Sequence, residues 1–319
     1  SFYETNNVLT IGPNDHRPLD LTTCVACGHC ATVCPTGALT LKPVLPQVYR
    51  ALQNPELTVV AQIAPAVRAA FRQHYGLTDE DIMPVLAAGL KQLGFNFVFD
   101  TCWAADLTIM EEGTEFLSRL AEGGVLPQIT SCCPAWVEMT EKHLPQIKPS
   151  VSGTWSPMRY TATLVREKYP HATVVFIGPC VAKQAEARKY EGVDFVMTFE
   201  ELGSLMIAMN VDFQDFEQEE QGEVIPERIF AASSGVMRSV AAHYHGVPLK
   251  PLVVNGLNKK NIAGLRRLVA GKHDYNMIEV MACEGGCLSG PAGISSPEVA
   301  RKLFNTRAGV PVDPMAESK

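Results

Sequence analysis

Thr173-Val-Val-Phe-Ile177 is a short apolar run that leads through Gly178-Pro179 to Cys180, and a helical pattern follows at Ala182–Lys189. This order of strand, tight turn and helix is repeated along the chain. Further strands are predicted at residues 57–62, 96–100 and 278–282, and further helices at 65–73 and 106–120. Strands that alternate with helices predict an α/β fold with largely parallel, helix-flanked sheets, which place their ligands beyond the carboxyl ends of the strands.

Composition limits the class of protein. The chain has 319 residues, of which 46% are hydrophobic, and a net charge of −7. This length predicts about two domains. The negative charge argues against a nucleic-acid or anionic-membrane partner. There is no apolar run long enough to span a bilayer, and the first residues lack the features of a secretory signal, so we expect a cytoplasmic protein. The acidic segment 214–224 is interpreted as a solvated surface loop.

The ten cysteines are clustered rather than spread along the chain. Disulfide frameworks are typical of small, cysteine-rich secreted chains, whereas this chain is long and comparatively poor in cysteine. Clustered spacing therefore favours thiolate ligation of metal over disulfide bonds.

The first cluster is Cys24-Val-Ala-Cys27-Gly-His-Cys30-Ala-Thr-Val-Cys34-Pro35. Its spacing is that of bacterial ferredoxins and predicts a 4Fe-4S cubane, with zinc as the alternative. In two-cluster ferredoxins the fourth cysteine of such a run binds the other cluster, so Cys34 either completes this cubane or serves a partner motif upstream. Cys102 is a further candidate ligand, although a buried inert thiol is the simpler interpretation. His29 is interpreted as a surface residue.

Three segments of the body place cysteines beside glycine or proline, which let the backbone approach a bulky cluster. These are Thr130-Ser-Cys-Cys-Pro-Ala-Trp136, Gly178-Pro-Cys-Val-Ala-Lys-Gln-Ala-Glu186 and Glu279-Val-Met-Ala-Cys-Glu-Gly-Gly-Cys-Leu-Ser-Gly290. Taken singly, each cysteine could be a packed core thiol. Their joint occurrence in this order is far more specific.

With these motifs the sequence resembles the catalytic domain of [FeFe] hydrogenases over about residues 45–300. Pro-Ala-Trp in the first motif and Gly-Pro-Ala after the third indicate one of the less-studied branches. The resemblance implies a cubane held by Cys133, Cys180, Cys283 and Cys287, with Cys287 bridging to a two-iron subcluster that carries CO, cyanide and azadithiolate. It also implies that Lys183 binds a cyanide, and that Ala64, Pro65, Ser156, Phe230 and Met281 line the pocket.

The resemblance further implies a proton path. Cys132 would exchange protons with the cluster, and the path would continue through residues that match a surface relay: Glu112, Ser152, Glu115 and Arg119. The alternative interpretation of the two glutamates is a solvated acidic patch on one helix face. Three positions depart from familiar hydrogenases, with Gly178 in place of methionine, Met158 in place of glutamine and Ala66 in place of serine.

We therefore predict two lobes around a buried metal cluster, formed by residues 46–319, after a ferredoxin-like module at residues 1–45. The predicted reaction is reversible H2 oxidation, with electrons exchanged with ferredoxin or a similar carrier, and maturation enzymes are expected partners. Two alternatives stay open. The first is an H2-sensing relative, and the second is a non-catalytic iron–sulfur assembly protein of the related family. Catalytic bias, oxygen tolerance and oligomeric state do not follow from the sequence.

Overall fold

The computed structural model describes residues 2–5, 8–13, 17–76, 79–216, 231, 233–243, 249–270, 273–296 and 298–299. Phe230 and most of the acidic segment 214–224 lie outside these residues.

The described residues alternate between strands and helices, as the sequence predicts. The strands are β1 (Phe2–Thr5), β2 (Val8–Ile11), β3 (Val59–Ile63), β4 (Phe97–Asp100), β5 (Gln128–Ile129), β6 (Thr173–Ile177), β7 (Phe195–Met197), β8 (Pro251–Asn255) and β9 (Met277–Met281). The α-helices are α1 (His29–Thr32), α2 (Leu45–Leu52), α3 (Val67–Tyr75), α4 (Asp79–Gln92), α5 (Cys102–Glu122), α6 (Pro134–His143), α7 (Pro157–Lys168), α8 (Ala182–Lys189), α9 (Phe199–Met209), α10 (Gly235–His243) and α11 (Lys259–Ala270).

Two parallel sheets form the body, which confirms the predicted fold class. The first has the strand order β4-β3-β6-β7, and the second has the order β5-β9-β8. Strands β1 and β2 form a separate antiparallel two-stranded sheet. Strand β3 is buried along its whole length, because helices cover both faces of such a sheet and its central strands must be apolar.

Strand β9 separates two apolar layers of the second lobe. Met277 and Met281 face α5 and α10, where they pack with residues such as Phe116 and Val240. Ile278 and Val280 face the opposite layer, which contains Trp136 of α6 and Leu265 of α11. This alternation follows from the two-residue period of a strand, and it places Glu279 on the same face as the two methionines.

The N-terminal cysteine run packs directly on the body. Lys142 Nζ, in the last turn of α6, donates to the carbonyl oxygen of Cys24 at 2.7 Å, and His143 Nε2 lies 2.8 Å from the carbonyl oxygen of Thr23. Gly28 has φ +82°, and a Cβ atom there would lie 2.7 Å from the side chain of Val181. The run is therefore fitted tightly against the turn that carries Cys180.

In the part of the chain that the structure describes, no helix is both long and apolar enough to cross a bilayer.

Candidate metal centre

The four cysteines that the resemblance assigns to the cubane all follow parallel strands. Cys133 follows β5 and caps the N-terminus of α6. Cys180 follows β6 and precedes α8, whereas Cys283 and Cys287 follow β9. The carboxyl ends of the two sheets therefore meet at these thiols, the position that open α/β sheets use for ligands.

The electrostatics of these thiols indicate that they lie near one another. Burial raises the pKa of Cys287 to about 12, and the nearby thiols of Cys180 and Cys133 add to the shift. Burial likewise raises the pKa of Cys180 to about 11, with a contribution from Cys133. The pKa of Cys283 is raised by burial and then by the other three thiols. Four half-buried thiols near one another are a donor set that fits an iron–sulfur cubane, whose iron would compensate the thiolate charge.

Backbone geometry brings the two cysteine loops together. Gly285 and Gly286 have φ of +91° and +82°, a region that strongly favours glycine. A Cβ atom on Gly290 would lie 2.5 Å from the carbonyl oxygen of Pro179, and the N–H of Ala292 donates to the same oxygen at 3.0 Å. The loop after Cys287 is thus packed against the turn that carries Cys180.

Lys183 is buried beside this centre rather than exposed. Its Nζ donates to Glu186 Oε2 at 2.6 Å. Burial opposes the charge of Lys183, but Glu186 and the thiol of Cys180 outweigh this effect, and the net result is a raised pKa. An ammonium group has three donors, so the pair leaves capacity for a further anionic acceptor.

The predicted pocket residues that are described lie in or near the core. Ala64 and Met281 are buried, and Pro65 is half-buried. Ser156 is also buried, and its hydroxyl has no hydrogen-bond partner among the described residues. Such an orphaned group fits a site that a bound group would complete. The prediction for Phe230 lies outside the described residues.

The structure gives a physical reason for glycine at position 178. A Cβ atom there would lie 2.7 Å from Phe176 Cε1 and 2.8 Å from Ala64 Cβ. The ring of Phe176 therefore occupies the space that a larger side chain at position 178 would need. Met158 and Ala66, the other two departures, are both buried.

Cys132 and Glu112 are buried side by side at the inner end of the predicted proton path. The pKa of Cys132 is raised well above its usual value by burial and by the neighbouring Glu112. Burial also raises the pKa of Glu112 to about 8, and the carboxylates of Glu115 and Glu279 add to the shift. The interpretation of Glu112 as part of a solvated acidic patch is therefore wrong, although Glu111 beside it is exposed.

The outer residues of the path form one hydrogen-bonded group. Ser152 Oγ and the N–H of Gly153 both donate to Glu115 Oε2, the latter at 3.0 Å. Arg119 Nε donates to Glu115 Oε1 at 3.0 Å, and its Nη1 donates to the carbonyl oxygen of Ser150 at 3.2 Å. The structure thus brings Ser152, Glu115 and Arg119 together in one hydrogen-bonded group.

In the N-terminal run, Cys30 is exposed, whereas Cys24, Cys27 and Cys34 are half-buried. The pKa of Cys34 is lowered to about 7 by the backbone N–H of Leu39, the hydroxyl of Thr36 and further N–H groups. The thiol of Cys27 is close enough to Cys283 to contribute to its raised pKa. The cysteines of the N-terminal run therefore lie close to the four cysteines of the body.

Within the described residues no three His, Cys, Asp or Glu side chains converge on a site for a single metal ion.

Cys102 belongs to a different environment. Arg68 Nη1 donates to Cys102 Sγ at 3.2 Å, and Asp100 Oδ1 accepts the N–H of Cys102 at 2.9 Å. Its pKa is raised, chiefly by burial. These contacts favour the interpretation of Cys102 as a buried inert thiol.

Two buried acids escaped the sequence reasoning, and both had a signal. Glu186 is three residues after Lys183, the spacing at which helical side chains meet. Glu279 is an acid inside an otherwise apolar strand.

Comparison with known proteins identifies the family of this chain. Residues 57–291 match the family of the iron only hydrogenase large subunit, C-terminal domain, and residues 18–40 match the 4Fe-4S binding domain. The NADP-reducing hydrogenase subunit HndD of Solidesulfovibrio fructosivorans is 34% identical over an alignment that covers 88% of this chain and 57% of that protein. The chain thus spans less than two thirds of that relative.

Two further similarities point to different classes of relative. The cytosolic iron-sulfur assembly component 3 of Mus musculus is 26% identical, with 93% of this chain and 76% of that protein aligned. A solved [FeFe]-hydrogenase, studied for oxygen inactivation through its H cluster 2Fe subcluster, superposes with a TM-score of 0.66 at 26% identity, covering 82% of this chain and 89% of that one. Since the family match spans most of the chain, this protein belongs to the iron-only hydrogenase large-subunit family.

Proposed function

We propose that this protein is an [FeFe] hydrogenase that catalyses the reversible oxidation of H2 to protons and electrons. The observation that carries the proposal is that four half-buried thiols lie near a buried lysine and near the buried Cys132 and Glu112. The fold alone would not support it, because a fold does not determine a reaction.

In this proposal Cys133, Cys180, Cys283 and Cys287 would hold a cubane, and Cys287 would also link it to a two-iron subcluster. When bound, that subcluster would supply the open metal site at which H2 is split. Lys183 binds an anionic cyanide ligand, which is a favourable role for a buried ammonium because an unpaired buried charge is costly. Ala64, Pro65, Ser156, Phe230 and Met281 shape the pocket.

Protons leave through Cys132, Glu112, Ser152 and Glu115, and reach solvent beside Arg119. A general acid or base works best when its pKa lies near the working pH. The raised pKa of Glu112, about 8, suits such an exchange near neutral pH. The ion pair between Glu115 and Arg119 at the outer end holds the carboxylate in place for transfer to water.

Cys24, Cys27, Cys30 and Cys34 of the N-terminal run would hold a second cubane, which would supply electron exchange with ferredoxin or a similar carrier. The proximity of Cys27 to Cys283 supports a direct route between the two clusters. The boundary between the two modules, near residues 45 and 46, is part of this proposal.

A non-catalytic role in iron–sulfur assembly is the second candidate, because an assembly component is among the relatives. The buried pair of Lys183 and Glu186 and the buried Glu112 favour the hydrogenase, since an assembly protein without a two-iron unit would have no evident use for them.

The decisive experiment is an infrared spectrum of protein produced with the hydrogenase maturation enzymes, together with an H2 turnover assay. Metal-bound CO and cyanide bands with turnover are expected. Matured protein that carries cubanes but shows neither bands nor turnover would contradict the proposal and favour the assembly role.

A further inference from the structure

Glu279 is a wholly buried carboxylate that the proposed proton path does not use. It is 0% exposed and lies in strand β9 between Met277 and Met281, on the face that packs against α5 and α10. Every other residue of β9 is apolar. A buried acid at such a position costs free energy unless it is hydrogen-bonded, so its partners indicate its role.

The partners of Glu279 are backbone N–H groups at the start of α10. Ser234 N–H donates to Glu279 Oε1 at 2.6 Å, and Met237 N–H donates to Glu279 Oε2 at 2.8 Å. The N-terminus of a helix carries unsatisfied N–H groups and a partial positive charge, and both favour an anion. Ser234 has φ +68°, a conformation that is costly for a residue other than glycine. The carboxylate of Glu279 holds this strained turn in place.

Glu112 reaches the same layer from α5, but its surroundings differ. Neither carboxyl oxygen of Glu112 makes a hydrogen bond of ordinary geometry with a described residue. The titratable groups that face Glu279 are Glu112 on α5, Cys132 before α6 and Cys287 after β9, since the charge of Glu279 affects the pKa of all three. Helix α10 carries Arg238 and His243, and β8 offers no titratable side chain. Glu279 thus accepts two well-formed N–H hydrogen bonds, whereas Glu112 is approached less closely, by the N–H of Ser131 and the hydroxyl of Ser152.

We propose that Glu279 is a positioning residue of the proton path: an anion fixed at the first turn of α10, whose charge keeps the mobile proton of the pair on Glu112. When two nearby carboxyls have different surroundings, their pKa values differ. The carboxyl with the better hydrogen-bond donors loses its proton at lower pH, and the other one carries the shared proton. Consistent with this, burial raises the pKa of Glu279 only to about 7, because the N–H groups of Met237, Ser234 and Val236 oppose the shift. The pKa of Glu112 is raised to about 8. This inference rests on the proposed function only for its use in turnover.

The test is an infrared titration of carboxyl groups in protein that carries its cubanes and has been made without the maturation enzymes. The carbonyl stretching band of protonated Glu112 is identified by its loss in Glu112→Gln. In the wild-type protein we expect this band to disappear with a midpoint near pH 8. In Glu279→Gln the repulsion is removed, so the proton affinity of Glu112 falls by about tenfold and the midpoint moves down by about one pH unit.

Two controls separate charge from structure. Glu279→Asp keeps the charge, and its midpoint should stay closer to that of the wild type than that of Glu279→Gln. If Glu279→Gln does not fold, the reciprocal measurement uses Glu112→Gln, in which the band of Glu279 should titrate at lower pH than it does in the wild type, because a coupling between two sites acts equally on both. An unmoved Glu112 midpoint in folded Glu279→Gln would overturn the proposal, and so would an unmoved Glu279 midpoint in Glu112→Gln.

These outcomes do not depend on H2 chemistry. Matured protein without CO and cyanide bands would end the proposed hydrogenase function, yet the pairing of the two glutamates would stand if the midpoints move as expected. In matured, active protein, Glu279→Gln should also move the pH profile of turnover toward lower pH. A purely structural role for Glu279 would lower activity at all pH values without this shift.

Discussion

Replacing Glu186 with glutamine tests whether the buried ion pair of α8 supports the metal centre. The side chains of Lys183 and Glu186 are only 10% and 7% exposed, and their charged atoms lie 2.6 Å apart. Glutamine keeps the shape and one hydrogen bond but leaves the ammonium of Lys183 without its counter-charge. Removal of one partner from a buried pair costs about 3–5 kcal/mol. The thiolates near Lys183 offset part of this cost, so we expect the lower end of the range.

The measurement is an anaerobic thermal melt of the cubane-loaded protein at a fixed scan rate, followed by circular dichroism and by cubane absorbance. For 319 residues, with an unfolding entropy of about 2.1 cal/mol/K per residue, a loss of about 3 kcal/mol corresponds to a fall in apparent melting temperature of roughly 4–5 °C. A control is the more exposed pair of Lys189, on the same helix, with Glu141 of α6, whose side chains are 37% and 28% exposed. Exposed pairs contribute about 0–1 kcal/mol, so Glu141→Gln should change the melting temperature little. Equal, small effects of the two substitutions would refute the view that Lys183 and Glu186 act as a buried pair.

Three further predictions concern the clusters. Matured protein should contain about ten irons, roughly four in each cubane and two in the subcluster, and about eight without the maturation enzymes; zinc in the N-terminal run or a single cubane in an iron and zinc assay would contradict this. Lys183→Asn should weaken the CO and cyanide bands while the cubane absorbance is retained, because a buried cyanide loses its charged partner, and unchanged bands with full turnover would exclude that role. Cys132→Ala should abolish most turnover yet keep the infrared bands, whereas Cys133→Ala should lose cubane iron; loss of iron in Cys132→Ala would mean that the two cysteines are assigned the wrong way round.

The parts of the fold that followed from sequence are those where apolar pattern and turn chemistry agree. Helix α8 was predicted with the bounds that the structure has, and β6 likewise, because Gly178 and Pro179 separate them sharply. Helix α5 begins four residues before the predicted start at residue 106, since Cys102, Ala104 and Ala105 are apolar and give no boundary signal. Strands β5 and β7 were missed because two or three residues are too short to show a period.

The residues of the site likewise include some that the sequence predicts and some whose contacts only the structure shows. Cysteine spacing and a family resemblance were enough to select thiols that the fold brings together from distant segments. Pairings that depend on three-dimensional packing cannot be predicted from the sequence. An example is the pairing of Glu279 with the N–H groups of α10, because nothing in the local sequence of residues 234–237 indicates an acid partner. The space beside Gly178 is a similar case, since it is filled by Phe176, two residues earlier on the same face of the sheet.

The close fit of Gly28 affects when the N-terminal run can dock on the body during synthesis. A Cβ atom at residue 28 would meet not only Val181 but also Pro291 Cγ, at 3.1 Å. The surface that receives the first cysteine run is therefore built partly from residues that leave the ribosome much later. Contacts between such distant positions form late in folding because loop closure must precede them. During synthesis the N-terminal run can contact α6 and Val181 first, but the surface that covers Gly28 is complete only when the segment after β9 has been made.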